Sequence, residues 1–110
     1  MKVTVTFIEL KSPLKFFSLS ANAFQILKQL KSTNHKALKK RGFWMKHYTM
    51  TLWENEQELK SFASSGAHLD AMKKSKDIAK EIRTITIDAD KLPTWKEAEK
   101  LLEGARVMKF

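Results

Sequence analysis

Three histidines, His35, His47 and His68, are the side chains in this sequence best suited to move a proton near neutral pH or to hold a metal ion. Their spacing fits no zinc signature, since no two of them stand four apart as a helical pair of ligands would. The chain has no cysteine, which excludes a thiolate metal site, a disulfide framework and a cysteine nucleophile. Its glycines, Gly42, Gly66 and Gly104, are too scattered to cradle a phosphate, and no strand-elbow motif marks a nucleophilic serine. Glu54, Glu56 and Glu58 read as the favourable negative charge of a helix start, not as an acid–base pair. No metal is therefore expected. His68 is the first candidate for proton transfer or ligation, set against a structural role in which its ring binds backbone near Gly66. Tyr48 offers a hydrogen-bond donor to a ligand or a satisfied buried hydroxyl. Met50 and Met72 are core fillers before they are ligands.

The elements that must position these groups follow from periodicity. Val3 to Leu10 alternates, with Val3, Val5 and Phe7 on one face and Thr4, Thr6 and Ile8 on the other, and reads as a strand. Ser12-Pro13 offers a helix start, and Phe16, Ala23, Phe24, Leu27 and Leu30 recur at helical spacing. Ser18, Ser20 and Asn22 weaken the first turns, so the firm helix is placed at residues 21–31. Lys36 to Lys40 has no clear assignment, and Gly42 marks a turn or bulge. His47 to Trp53 is the clearest strand. Tyr48, Met50 and Leu52 face one way; His47, Thr49, Thr51 and Trp53 face the other. Asn55 with Glu58, and Thr94 with Glu97, have the spacing of capping boxes that begin helices. Ile82 to Asp88 alternates again, and Val107 to Phe110 is a short final strand.

The order β-α-β-β-α-β followed by a helix predicts one domain over residues 1–110. It is an α+β, ferredoxin-like antiparallel sheet with helices on one face plus a C-terminal helix. The uncovered face, holding Thr4, Thr6, Ile8, Thr49, Thr51 and Trp53, would then ask for a partner, and a two-fold homodimer would satisfy it.

Composition is that of an ordinary globular domain, 43% hydrophobic and 30% charged. The net charge of +9 is uneven: residues 1–53 hold ten Lys and Arg and one acid, Glu9, whereas residues 54–110 hold eleven of each sign. Such asymmetry suits an anionic ligand, nucleic acid or membrane surface, and equally a solvated basic face. No apolar run reaches the roughly 18 residues of a transmembrane span, and the alternating N-terminus is unlike a signal peptide. A cytoplasmic protein without a membrane partner is expected.

Two family patterns meet in the middle of the chain. Arg41, Gly42, Phe43 and Tyr48 match four positions of the RNA-recognition signature, while Trp44, Met45 and Lys46 do not, so nucleic-acid binding stands as the alternative function. The second pattern starts with a strand ending in Trp53-Glu54. A helix carrying Phe62 nine residues after the Trp follows, then Gly66-Ala67-His68 and Met72. This segment resembles the dimeric α/β-barrel monooxygenase superfamily, nearest to its spheroidene-monooxygenase-like and unknown-function branch.

That resemblance implies a ferredoxin-like homodimer with a pocket between helices and sheet. It implies a monooxygenase-like protein that oxidises or binds a small apolar or aromatic molecule, often without a cofactor, or else a non-catalytic dimeric ligand-binding domain. The implied pocket is lined by Phe7, Tyr48, Met50, Leu52, Phe62 and Met72, with Trp53, Thr49 and Thr51 on the dimer face and His68 as catalytic residue. One branch of the superfamily degrades haem, using an Asn on the first strand, a Trp on the second helix and a following His. Phe7, Phe62 and His68 stand in those places here. No cofactor is expected, and haem held by His68 or Met72 is the alternative.

Overall fold

A computed structural model describes residues 1–31, 33, 35–43, 45–64, 66, 72–74 and 77–109. Along the chain run β1 (Lys2–Leu10), α1 (Lys15–Leu30), β2 (Ala37–Phe43), β3 (Lys46–Trp53), α2 (Glu56–Ala63), β4 (Ala79–Asp88), α3 (Trp95–Glu103) and β5 (Arg106–Lys109). The strands form one antiparallel sheet in the order β2-β3-β1-β4-β5. The α+β, ferredoxin-like expectation therefore holds, with β5 added beside β4.

Local chemistry explains most boundaries. Asn55 accepts a hydrogen bond from the Glu58 amide at 2.9 Å, and Thr94 accepts one from the Glu97 amide at 3.2 Å, as the two capping boxes predict. The first helix departs from its predicted start. Ser12 and Pro13 lie in a turn, where their carbonyls accept from the Lys15 and Phe16 amides, and the helix begins at Lys15 without a side-chain cap. It runs through Ser18, Ser20 and Asn22 because tertiary packing of Ile26, Leu27 and Leu30 outweighs their weak helix propensity. Lys36 to Lys40, unassigned from sequence, contributes to the edge strand β2.

The helices do not share one face. Val3, Val5, Phe7, Met50 and Leu52 form the main core with Ala98 and Leu102 of α3. Trp53 lies on the opposite side of the sheet and packs with Leu30 of α1 and Phe62 of α2. Thus α3 closes the face of continuous apolar side chains, while α1 and α2 dock on the threonine-bearing face. Sequence alternation separates the two faces correctly but carries no sign saying which helix goes to which. The threonine face is consequently not the uncovered one, and the premise of a sheet-on-sheet contact through it does not hold. Among the described residues, no helix is long and apolar enough to cross a membrane.

Candidate functional site

The face beneath α1 and α2 has an unusual floor. Antiparallel register sets Thr51, Thr4 and Thr86 side by side on β3, β1 and β4, and Thr49, Thr6 and Thr84 side by side one step along. Facing hydroxyls meet across β1 and β4: Thr4 with Thr86 at 3.0 Å and Thr6 with Thr84 at 3.4 Å. Thr49 and Thr86 are exposed and the other four are half-buried. Valine has the same shape and an equal liking for strands, and Val3 and Val5 occupy the other face of β1. The hydroxyls are therefore not a by-product of strand formation. They give the helix side of the sheet six donor–acceptor groups where a plain core would have methyls.

Aromatic groups stand at both ends of this floor. At one end His47, paired in register with Ile8 and Gly42, has its ring 5.8 Å from that of Phe16 on α1. Gly42 leaves room for that ring, since a Cβ at its position would lie 2.5 Å from His47 Nδ1 and would push the imidazole aside. At the other end Trp53 is fully buried, its ring centroid 5.2 Å from that of Phe62 and 6.1 Å from the His35 imidazole. The indole Nε1 donates to Thr51 Oγ1 at 2.9 Å, which ties the aromatic end to the floor. The His35 ring contacts Thr33 Oγ1 through Nδ1 at 3.1 Å. Lys2 and Asp88 close the adjacent edge as an ion pair at 2.6 Å. The hydrogen bond from Lys2 holds the Asp88 carboxyl below the usual carboxylate range, and the same bond raises Lys2.

The residues expected to line one pocket are divided between the two faces. Phe7, Tyr48, Met50 and Leu52 come together, but on the α3 side, where Phe7 and Tyr48 rings lie 5.0 Å apart. Phe62 is on the other side, against Trp53. Met72 is 53% exposed. Trp53, expected on a dimer face, is an intramolecular core residue, while Thr49 and Thr51 belong to the floor. His68 lies outside the described residues, and the described residues contain no cluster of three or more side chains that could hold a metal ion. His47 was visible in the sequence as a neighbour of Thr49 in the strand alternation. Its place became distinctive only when Thr84 and Thr86 were brought into register beside Thr6 and Thr4.

A concavity lies on the other, α3 side of the sheet. It is a cleft of about 240 Å³ bordered by Phe7, Tyr48, Lys46, Arg83 and the carboxylates of Glu9, Glu81, Glu99 and Glu103. Some of its charges are already paired. Arg83 Nε donates to Glu81 at 2.8 Å, and Arg41 pairs with Glu99 while its guanidinium sits 5.1 Å from the ring centroids of both Tyr48 and Trp95. This arrangement also bears on the RNA-recognition pattern. Arg41-Gly42-Phe43 ends β2 and Lys46-His47-Tyr48 begins β3, so the octapeptide is split over a hairpin and the Tyr48 ring is engaged by Arg41.

A family model described as a domain of unknown function, DUF3291, matches residues 4–107. The chain belongs to that family. Among curated proteins, none matches the sequence. Solved structures place the DUF3291 fold more sharply. Rv0793 of Mycobacterium tuberculosis superposes with a TM-score of 0.71 at 8% identity, covering 86% of this chain and 100% of its own. An antibiotic biosynthesis monooxygenase gives 0.71 at 9% identity, over 84% of this chain and 100% of that one. SnoaB, a cofactor-independent oxygenase from Streptomyces nogalater, gives 0.62 at 9% identity, over 84% and 96%. The DUF3291 chain thus has the antibiotic-biosynthesis-monooxygenase fold that the Trp53-to-Met72 segment resembles. At these identities the likeness is one of fold.

Proposed function

We propose that this DUF3291 protein binds a planar, oxygen-bearing aromatic molecule on the threonine floor and acts on it as a cofactor-independent, monooxygenase-like enzyme. The observation that carries the reading is the set of six threonines on the helix-covered side of the sheet, with Val3 and Val5 kept for the other side. Hydroxyls on the floor would take the substrate oxygens, and the rings of Phe16 and His47 would flank its faces or edges. His47 places an imidazole at this floor beside Phe16, a group that can serve as a general base. In that scheme the arenol loses its proton to His47 and the resulting arenolate reduces dioxygen. One oxygen atom ends as a new quinone carbonyl and the other leaves as water. The shared fold with a protein described as a cofactor-independent oxygenase supports this class of chemistry without supplying the substrate.

Tryptophan fluorescence titration with naphthohydroquinone tests the binding, and dissolved-oxygen consumption with anthrone tests the chemistry. Thr6→Val with Thr84→Val should weaken binding about tenfold through lost hydrogen bonds while leaving the fold intact. His47→Gln should retain binding and abolish oxygen uptake. If neither probe binds the wild-type protein, the reading fails. Binding without oxygen uptake would reduce it to a carrier.

A further inference from the structure

The first helix is apolar on two sides. Its inner side carries Leu19, Ala23, Ile26, Leu27 and Leu30, which are half-buried or buried. Its outer side carries Leu14 just before the first turn, then Phe17, Ala21 and Phe24, at the three- and four-residue steps that align side chains on a helix. Leu14, Phe17 and Phe24 are 78%, 73% and 60% exposed, the most exposed large apolar side chains described in the protein. A helix that needed only to cover the sheet would carry polar groups there. The outer stripe is thus a contiguous apolar surface, which on a monomeric protein marks a contact site.

Its electrostatic surroundings say what the contact is. Lys11 precedes the stripe, and Lys28 and Lys31 follow it, all exposed. Lys28 Nζ stands 5.6 Å from the Phe24 ring centroid, so the ammonium rides at the margin of the apolar surface. The edge strand β2 adds exposed Lys39 and Lys40, and no acid occurs between Leu10 and Trp53. Exposed phenyl rings and a leucine rimmed by lysines, on a helix that carries no carboxylate of its own, are the composition of a helix that lies in the headgroup layer of an anionic bilayer. An acidic protein partner would satisfy the lysines. It would leave unexplained why the most exposed large apolar side chains, Leu14, Phe17 and Phe24, line up along one side of the helix.

We infer that the outer face of α1 docks this protein peripherally on anionic lipid membranes, with Leu14, Phe17 and Phe24 inserted and Lys11, Lys28 and Lys31 at the phosphates. The charge excess of the first half of the chain then has a partner. The inference does not depend on the threonine floor or on any catalysis.

Flotation of the full chain with vesicles decides it. Vesicles of equal parts phosphatidylcholine and phosphatidylglycerol should carry the protein up the gradient; pure phosphatidylcholine should carry about a tenth as much or less. Phe17→Ser with Phe24→Ser should lower binding to the anionic vesicles at least about tenfold, given the apolar area each ring removes from water. Circular dichroism and sedimentation mass should stay unchanged. Lys28→Gln with Lys31→Gln should lower it as well. Unaltered binding of the Phe variant would mean charge adsorption alone and would overturn the inference. So would absence of binding to anionic vesicles, or a Phe variant whose sedimentation mass halves, which would assign the stripe to a second copy of the chain.

Discussion

Thr4 and Thr86 face one another across the β1–β4 pair with their hydroxyl oxygens 3.0 Å apart. The bond lies near the surface, so water can replace it, and its net worth to the fold is about 1 kcal/mol or less. Replacing both residues by valine keeps shape and strand preference. Thr4→Val with Thr86→Val should therefore shift the denaturant midpoint only slightly, by about 1 kcal/mol at most in either direction. The same variant should lose affinity for naphthohydroquinone by about tenfold. A large stability loss with intact binding would show the threonine grid to be scaffold.

Trp53 is the anchor of the helices on that grid. It is fully buried between Leu30 and Phe62, and its Nε1 is satisfied by Thr51. Trp53→Ala removes a whole indole from a site whose walls are two helices and cannot close over the gap. The expected cost is about 3–5 kcal/mol in urea unfolding, a large part of the stability of a domain this size. Trp53→Phe should cost less, since most of the ring contact with Phe62 is kept and the lost hydrogen bond is worth about 1 kcal/mol. Equal losses for the two variants would mean that the hydrogen bond to Thr51, not packing, holds the indole.

The contrast between Trp53 and β2 shows what the sequence reveals. Capping boxes at Asn55 and Thr94 are local, and both form as read. The alternation of β1, β3 and β4 sorts their side chains correctly because strand geometry is a two-residue repeat. The edge strand β2 is rich in lysine and shows no such contrast, since an edge can be charged on both faces. The docking side of each helix depends on contacts distant in sequence, such as Leu30 with Trp53 and Ala98 with Val3 and Met50, which no local pattern encodes. The candidate site was legible to the same extent. Four floor threonines could be grouped from β1 and β3 alone, whereas Thr84 and Thr86 join them only through the β1–β4 register.

Lys2 and Asp88 are register partners and an ion pair at 2.6 Å at the edge of the floor. The hydrogen bond from Lys2 lowers the Asp88 carboxyl and raises the Lys2 ammonium. For the depressed carboxyl, the contribution to stability is complete above the unfolded value near ~3.9 and is lost as pH falls through the lower folded value. For the raised ammonium, it is complete below about 10.4 and is lost as pH rises through the higher folded value. Stability from this pair should thus be flat through neutral pH and decline only at the two extremes. The Asp88 side chain is 82% exposed, so the effect is small and screened by salt. Carboxyl resonance titration by NMR should show Asp88 moving up toward the ordinary carboxylate range in Lys2→Met. An unmoved titration would mean that the pair is not formed in solution.

Arg41 links the edge strand to α3 by two means at once. Its guanidinium pairs with Glu99 and lies 5.1 Å from the ring centroids of Tyr48 and Trp95, which are 6.3 Å from each other. The ion pair is half-exposed on both sides and contributes little by itself. The ring contacts depend on a flat cation, which arginine supplies and lysine does not. Arg41→Lys keeps the charge opposite Glu99 and loses the planar contact; Glu99→Gln does the reverse. If the contact with the rings is the larger effect, Arg41→Lys should cost about 0.5–1 kcal/mol and Glu99→Gln less. Trp95 emission should change in the first variant and stay close to wild type in the second. The opposite order would assign the docking of α3 on β2 to the ion pair.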